Sequence, residues 1–164
     1  MPTKLRNQII SSVLEEHAAA FRASFNIENV KLLEQISDQI AAAFQRGNKL
    51  LLCGNGGSAA DAQHIAAEFI GRFKRERKSL PAIALTTDSS VLTALANDYS
   101  YETVFSRQVE GLGEKGDILI ALSTSGTSKN VVDSVKRAKE MNLITVGFTG
   151  KSGGELKKLC DFNF

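Results

Sequence analysis

Long apolar runs are missing from this chain of 164 residues. No stretch approaches the roughly 20 consecutive apolar residues that a membrane-spanning helix needs, and Met1 to Phe25 is charged, with no apolar segment bounded by a cleavage site. The expectation is a cytoplasmic protein with no membrane partner. Cysteine is scarce too: Cys53 and Cys160 cannot make a disulfide framework and belong to no close metal-ligand spacing, which fits a reducing compartment. Charge of one sign is also lacking. The 20 Lys and Arg against 18 Asp and Glu leave +2 with no long run of either, so composition offers nucleic acid no electrostatic footing. Repeats, low-complexity segments and linkers are absent, and the length suits one domain, 1–164.

What is present is the composition of a folded chain, 43% hydrophobic and 23% charged. Leu5, Ile9, Ile10, Val13, Leu14, Phe21 and Phe25 recur at the spacing of one helix face. A second helix follows, with Asn26 or Asn29 to cap it, Val30, Leu33, Ile36, Ile40 and Phe44 as its stripe, and Gly47 to stop it. This pair over 1–47 either packs into its own core or docks on a second subunit. From 48 onward the pattern changes. Short apolar runs at Lys49 to Cys53, Pro81 to Thr86, Asp117 to Leu122 and Leu143 to Thr149 read as buried strands. Helical patterns at Ser58 to Phe73, Asp88 to Ala96, Glu102 to Leu112 and Ser128 to Met141 alternate with them. The expected fold is α/β, a three-layer doubly wound parallel sheet of flavodoxin-like type preceded by two amphipathic helices. Asp161 to Phe164 has the alternation of a further strand beginning, after which such a unit normally continues into a covering helix.

Ligands of such sheets bind beyond the carboxyl ends of the strands, and two loops there carry suitable chemistry. Cys53-Gly54-Asn55-Gly56-Gly57-Ser58 leaves the first strand and opens a helix, with Ser58 as the expected cap. Its glycines permit close approach to a ligand, and the helix start favours an anion. No Walker lysine follows, and the third glycine of the dinucleotide fingerprint is missing. The second loop, Leu122-Ser123-Thr124-Ser125-Gly126-Thr127-Ser128, gathers hydroxyls and amides at another helix start, a neutral donor set suited to reversible phosphate binding. A third junction, Thr149 to Gly154, reads as a turn on the same rim.

His64 and Glu68 share a face of the helix after the first loop, about a third of a turn from the centre of its buried side. The bland reading is a solvated face. The chemical ones are a carboxylate that shuttles a proton between C1 and C2 of a sugar, or two ligands of a zinc ion that needs at least one more. His17, the only other histidine, lies in the first helix. Asn97-Asp98 either binds sugar hydroxyls or simply ends a helix.

Taken together, Gly54-Asn55-Gly56-Gly57-Ser58, His64 with Glu68, Gly71-Arg72, Pro81 to Ala84, Asn97-Asp98, Ser123 to Gly126 and Thr149-Gly150 resemble the sugar isomerase (SIS) family of phosphosugar-binding domains, and within it the bacterial phosphoheptose isomerases. The resemblance implies conversion of sedoheptulose 7-phosphate to glycero-manno-heptose 7-phosphate for cell-surface heptose. It implies that Asn55, Gly56, Gly57, Ser58, Asn97 and Asp98 contact the sugar, that Ser123, Thr124, Ser125 and Ser128 hold the phosphate, and that Glu68 is an acid/base. It also implies zinc, with His64 and Glu68 as two ligands and a Gln and a catalytic His on a final helix, a helix expected to be absent here because the chain stops at Phe164. Homotetramers are implied in which leading helices and neighbouring subunits complete each site, which favours the docking role for the first two helices. Thr127 stands where the family often has Asn.

Two other classes compete. A non-enzymatic relative of the same fold binds the bacterial replication initiator, but lacks the complete His and Glu pair that His64 and Glu68 form here. A sugar-phosphate sensor would shift an oligomer without moving a proton, and usually carries a second domain.

Overall fold

A computed structural model describes residues 3–164, with side chains from Leu5 onward. The chain separates into two compact units, Met1–Gln35 and Ile36–Phe164. The first holds α1 (Thr3–Ser24) and the start of α2 (Ile27–Gln45). Asn26 is the cap, its Oδ1 accepting from the Asn29 amide at 2.8 Å. Asn29 instead ties the turn from the other side, its Nδ2 donating to the Ser24 carbonyl at 2.8 Å. The stripe expected on α1 is present, yet it is open: Leu5, Ile9, Ile10, Val13, Leu14 and Phe21 are all exposed. Packing within its own unit therefore does not cover this face.

The second unit is built on five parallel strands in the order β2-β1-β3-β4-β5, comprising β1 (Leu50–Gly54), β2 (Ala82–Ala84), β3 (Ile118–Ser123), β4 (Ile144–Thr149) and β5 (Phe162–Asn163). Leu50 pairs with Ala82 on one side and Ile118 on the other, so β1 and β3 lie side by side where the winding direction reverses. The near-continuous apolar runs are explained by burial on both faces. Leu51, Cys53, Leu119 and Ala121 point to one side, against Val104, Phe105 and Val109 and against Val131, Val135 and Ala138. By the two-residue period of a strand, Leu50, Leu52, Ile118 and Ile120 face the other side, where α3 (Gly57–Ile70) packs through Ala62 and Ala66.

The connections are α3, α4 (Ser89–Asp98), α5 (Ser106–Leu112), α6 (Lys129–Glu140) and the short α7 (Leu156–Leu159). Three differ from the sequence reading. The helix expected to run to Phe73 stops at Ile70, because the Arg77 guanidinium takes up its last carbonyls, with Nη2 donating to Glu68 O at 2.7 Å and Nη1 to Phe69 O at 2.8 Å. The helix expected over Glu102 to Leu112 is a 3-10 turn, Tyr101–Thr103, followed by α5. There Thr103 Oγ1 donates to Ser100 O and Ser106 Oγ to Thr103 O, local bonds that compete with a continuous ladder, while Val104 and Phe105 turn into the core. α7 had no counterpart in the sequence reading; β5 is the strand whose beginning was read at Asp161.

At the amino edge of the sheet, Asp117 fixes the register of β1 against β3. Its fully buried carboxylate meets Lys49 Nζ at 2.8 Å. It also accepts from the Lys49 amide at 2.9 Å, the Glu114 amide at 2.8 Å and Asn48 Nδ2 at 3.1 Å.

Candidate functional site

At the carboxyl ends of β1 and β3, a cleft of about 230 Å³ is lined by Asn55, Ser58, Leu122, Ser123, Thr124, Ser125, Ser128 and Lys151. This is the switch point of the sheet, where the fold leaves a crevice between diverging connections. α3 crowds the end of β1 so closely that a Cβ on Gly54 would lie 2.8 Å from the Ser58 carbonyl oxygen and Cβ.

The expected cap on α3 is not made. The helix begins at Gly57, Gly56 occupies the cap position without a side-chain bond, and the Ser58 hydroxyl is left on the cleft wall. The amides of Ser58 and Ala59 are taken by Asn55 O and Gly56 O at 3.0 and 3.1 Å, so the start of α3 is largely satisfied by its own backbone.

The start of α6 is different. Ser128 stands at its cap position and makes no capping bond; its hydroxyl pairs with Ser123 Oγ at 3.1 Å. Ser123 Oγ also accepts from the Gly126 amide at 3.2 Å, and Thr127 donates to Ser125 Oγ from its amide and its hydroxyl at 3.3 and 3.0 Å. Among the described residues the Ser125 and Ser128 amides donate to nothing. With the Lys129 and Asn130 amides, which the helix cannot pair internally, they form a nest of donors at the positive end of a helix dipole, while the Val131 amide donates to Asn130 Oδ1 at 3.0 Å. Such an uncapped start suits an anion.

The serine loop is held from behind by the third junction. Gly126 has φ 67°, and a Cβ there would fall 2.0 Å from the Gly153 carbonyl oxygen. The Gly126 carbonyl accepts from the Glu155 and Leu156 amides at 2.9 and 3.1 Å, and the Gly150 amide donates to Thr124 O at 3.1 Å. Thr149 to Gly154 is therefore a clasp on the serine loop as well as a turn.

Three residues at the cleft were not singled out from sequence. Asn130, buried in the first turn of α6, exchanges a reciprocal pair of amide bonds with Asn55, both 2.9 Å. Its signal was a polar residue on the apolar stripe of α6. Tyr101 donates its hydroxyl to Asn55 Oδ1 at 3.2 Å. Lys151, in the clasp, contributes the only charge on the lining. Asn55, expected to touch the sugar, thus spends most of its bonding capacity joining the β1 loop to α6, with one Nδ2 hydrogen left over.

The remaining expected residues lie elsewhere. Gly56 and Gly57 form the turn into α3 beside the cleft. Asn97 and Asp98 end α4, exposed, and bond each other through Nδ2 and Oδ1 at 2.9 Å; neither lines the cleft. His64 Nε2 and Glu68 Oε1 are 3.6 Å apart on an open face of α3. Glu68 is ten residues beyond Ser58 in the helix, about 15 Å along its axis at 1.5 Å per residue. It borders a separate groove with Phe69, Arg72 and Phe73. The neighbouring Phe69 carbonyl accepts from the Leu80 amide, just ahead of β2, so Glu68 stands near the amino ends of the strands. The structure does not bring it to the serine cleft of its own chain.

For zinc, His64 and Glu68 offer a nitrogen and an oxygen donor within reach of one ion. Among the described residues no group of three His, Cys, Asp or Glu could hold a metal, so the pair alone does not make up a metal site. No helix among the described residues is long and apolar enough to cross a membrane.

Comparison with known proteins agrees with the architecture. The SIS domain family profile matches residues 15–150. A phosphoheptose isomerase of Maridesulfovibrio salexigens is 54% identical over 149 residues, covering 89% of this chain and 73% of that protein. Phosphoheptose isomerase 1 of Campylobacter jejuni is 49% identical over 155 residues, covering 94% and 82%. The structure of a phosphoheptose isomerase from Neisseria gonorrhoeae superposes with a TM-score of 0.89 at 39% identity, covering 96% of this chain and 83% of that one. By sequence and by fold, the chain belongs to the phosphoheptose isomerase family of SIS-domain proteins.

Proposed function

We propose that this protein isomerises sedoheptulose 7-phosphate to D-glycero-D-manno-heptose 7-phosphate, the reaction class for which its relatives are named. The observation that carries this is the uncapped start of α6 beneath the Ser123 to Ser128 hydroxyls. These neutral donors hold a phosphate ester and let it go again, as turnover requires. Asn130, through Asn55, keeps the β1 loop at a fixed distance from that cradle.

The chemistry needs a base over C1 and C2. A carboxylate removes a proton from C1 of the ketose, giving an enediol, and returns it to C2, while the hydroxyl proton moves from O1 to O2. Glu68 is the carboxylate we assign. Because it stands near the opposite end of the sheet from its own cradle, it serves the cleft of a second copy of this chain. The open apolar stripe of α1 supports such an assembly, which we take to be a homotetramer. We also assign zinc, with His64 and Glu68 as two ligands and the rest from outside the described residues; bound there it would polarise a sugar oxygen. The two free cysteines fit a cytoplasmic enzyme, and the product would feed heptose of the lipopolysaccharide core. The relatives described above lend no support to initiator binding.

Complementation tests the shared site. Glu68→Gln and Ser128→Ala assemblies should each lose most turnover of sedoheptulose 7-phosphate, followed by NMR of the aldose. Dissociating and remixing the two should restore part of it, since some clefts then pair an intact cradle with an intact Glu68. No activity in the parent enzyme rules out the isomerase; an active parent with no recovery on mixing rules out sharing between copies.

A further inference from the structure

A phosphate monoester carries a charge of about −1.5 to −2 near neutral pH, yet the hydroxyls and amides of the cleft are uncharged. Only Lys151 on that lining bears a charge. Lys129, at the start of α6, is already occupied by Glu102 Oε1 at 2.8 Å. Lys151 has no ion-pair partner among the described residues.

The backbone at Lys151 is unusual. Its φ is 53°, in the left-handed region that disfavours a residue with a Cβ. Glycines surround it at 150, 153 and 154, two of them also at positive φ, and a glycine at 151 would relieve the strain. A lysine is held there by the clasp: Gly150 N donates to Thr124 O at 3.1 Å and Gly153 N to Gly150 O at 3.0 Å, while Gly126 O receives Glu155 and Leu156. The contacts that shape the serine loop therefore also set where Lys151 stands. Strain retained at a cleft wall is the kind of feature that accompanies ligand contact.

We propose that Lys151 is a phosphate-binding residue, its ammonium supplying the counter-charge to the ester dianion and so the preference for phosphorylated over uncharged sugars. This rests on the Ser123 to Ser128 cradle being the phosphate site, and the test separates the two.

Inorganic phosphate is the probe, titrated against the assembled enzyme by calorimetry and as a competitive inhibitor. Lys151→Gln should weaken phosphate about tenfold, the scale of one charge-assisted contact. Lys151→Gly should weaken it equally while melting no lower than the parent, because it loses the charge and gains a relaxed backbone. Lys151→Arg should stay within about threefold, since the charge remains. For the sugar phosphate, the two neutral variants should raise KM more than they lower kcat, and the salt dependence of KM should flatten. Phosphate binding unchanged in Lys151→Gln and Lys151→Gly but weakened in Ser128→Ala overturns the role of Lys151 and leaves the cradle standing. Unchanged binding in all three overturns both.

Discussion

One methyl group should be enough to part the serine loop from its clasp. In Gly126→Ala the new Cβ would sit 2.0 Å from the Gly153 carbonyl oxygen, 2.5 Å from its carbon and 3.0 Å from the Gly154 nitrogen. Those are backbone atoms, so no side chain can swing aside, and one loop must move by an ångström or more. The φ of 67° at this position adds about 1 to 2 kcal/mol for any residue with a Cβ, and the overlap adds about 1 to 3 kcal/mol in the manner of an overpacked core. Relief by separating the loops is no cheaper. It breaks the bonds from Glu155 and Leu156 to Gly126 O and uncovers Leu156, which is fully buried. The expected destabilisation is about 2 to 5 kcal/mol, and for a chain of this size each kcal/mol lowers the melting temperature by about 3 °C. A fall of about 6 to 15 °C by calorimetry should accompany weaker phosphate binding measured well below the transition, because the displaced loop carries the Ser123 and Ser125 donors. A variant that melts with the parent and binds phosphate equally would refute the interlock.

Two further outcomes concern groups away from the cleft. Burial alone would raise the Asp117 carboxyl, but the Lys49 ammonium, the Lys49 and Glu114 amides and Asn48 together bring it below its ordinary value. Its stabilising contribution is thus complete above about pH 4 and is lost as pH falls through the lower folded-state value. Asp117→Asn should cost about 2 to 4 kcal/mol at neutral pH, as for a broken buried pair whose cation keeps some solvent. It should also flatten the acid limb of urea-unfolding stability against pH; identical acid limbs would contradict this. Cys53 is pushed up to about 12 by burial, against the opposing bond to Ser134, and Cys160 to about 12 by burial and then by Asp161. Neither thiol should react with an aromatic disulfide at pH 8 until the protein is unfolded, and rapid labelling of the native enzyme would show the core to be looser than described.

The α/β architecture and the serine cradle were legible because each has a local cause. Strand runs such as Ile118 to Leu122 are buried on both faces, and a strand that opens a helix through hydroxyls and glycine leaves few other uses for Ser123 to Ser128. What escaped were features decided by distant partners. Nothing near Arg77 in sequence says that it will close the end of α3, and nothing beside Asn130 points to Asn55, 75 residues away. Ser58 looked like a cap because Gly56 gave no hint of taking that position. Lys151 lies inside a glycine-rich turn, and its place on the cleft wall depends on the distant Gly126 that the turn packs against.

The winding of the sheet also sets how far Glu68 lies from the serine loop of its own chain. In a parallel α/β unit each helix returns antiparallel to the strand before it, so a loop that binds ligand lies at one end of the sheet and the last turn of its helix at the other. Ser58 and Glu68 bracket most of α3 in this way, and no rotamer of Glu68 spans that length. A carboxylate near the carboxyl end of its helix can serve a cradle near the helix start only when a second copy is inverted against the first. On the proposed assignment of Glu68, a twofold pairing would do this reciprocally, each chain lending Glu68 and receiving it, and the number of complete sites would equal the number of paired chains. If the proposed sharing holds, an isolated subunit should bind phosphate through its own serine loop and α6 yet isomerise nothing, because its own Glu68 lies beside Arg72 and Phe73, away from that loop.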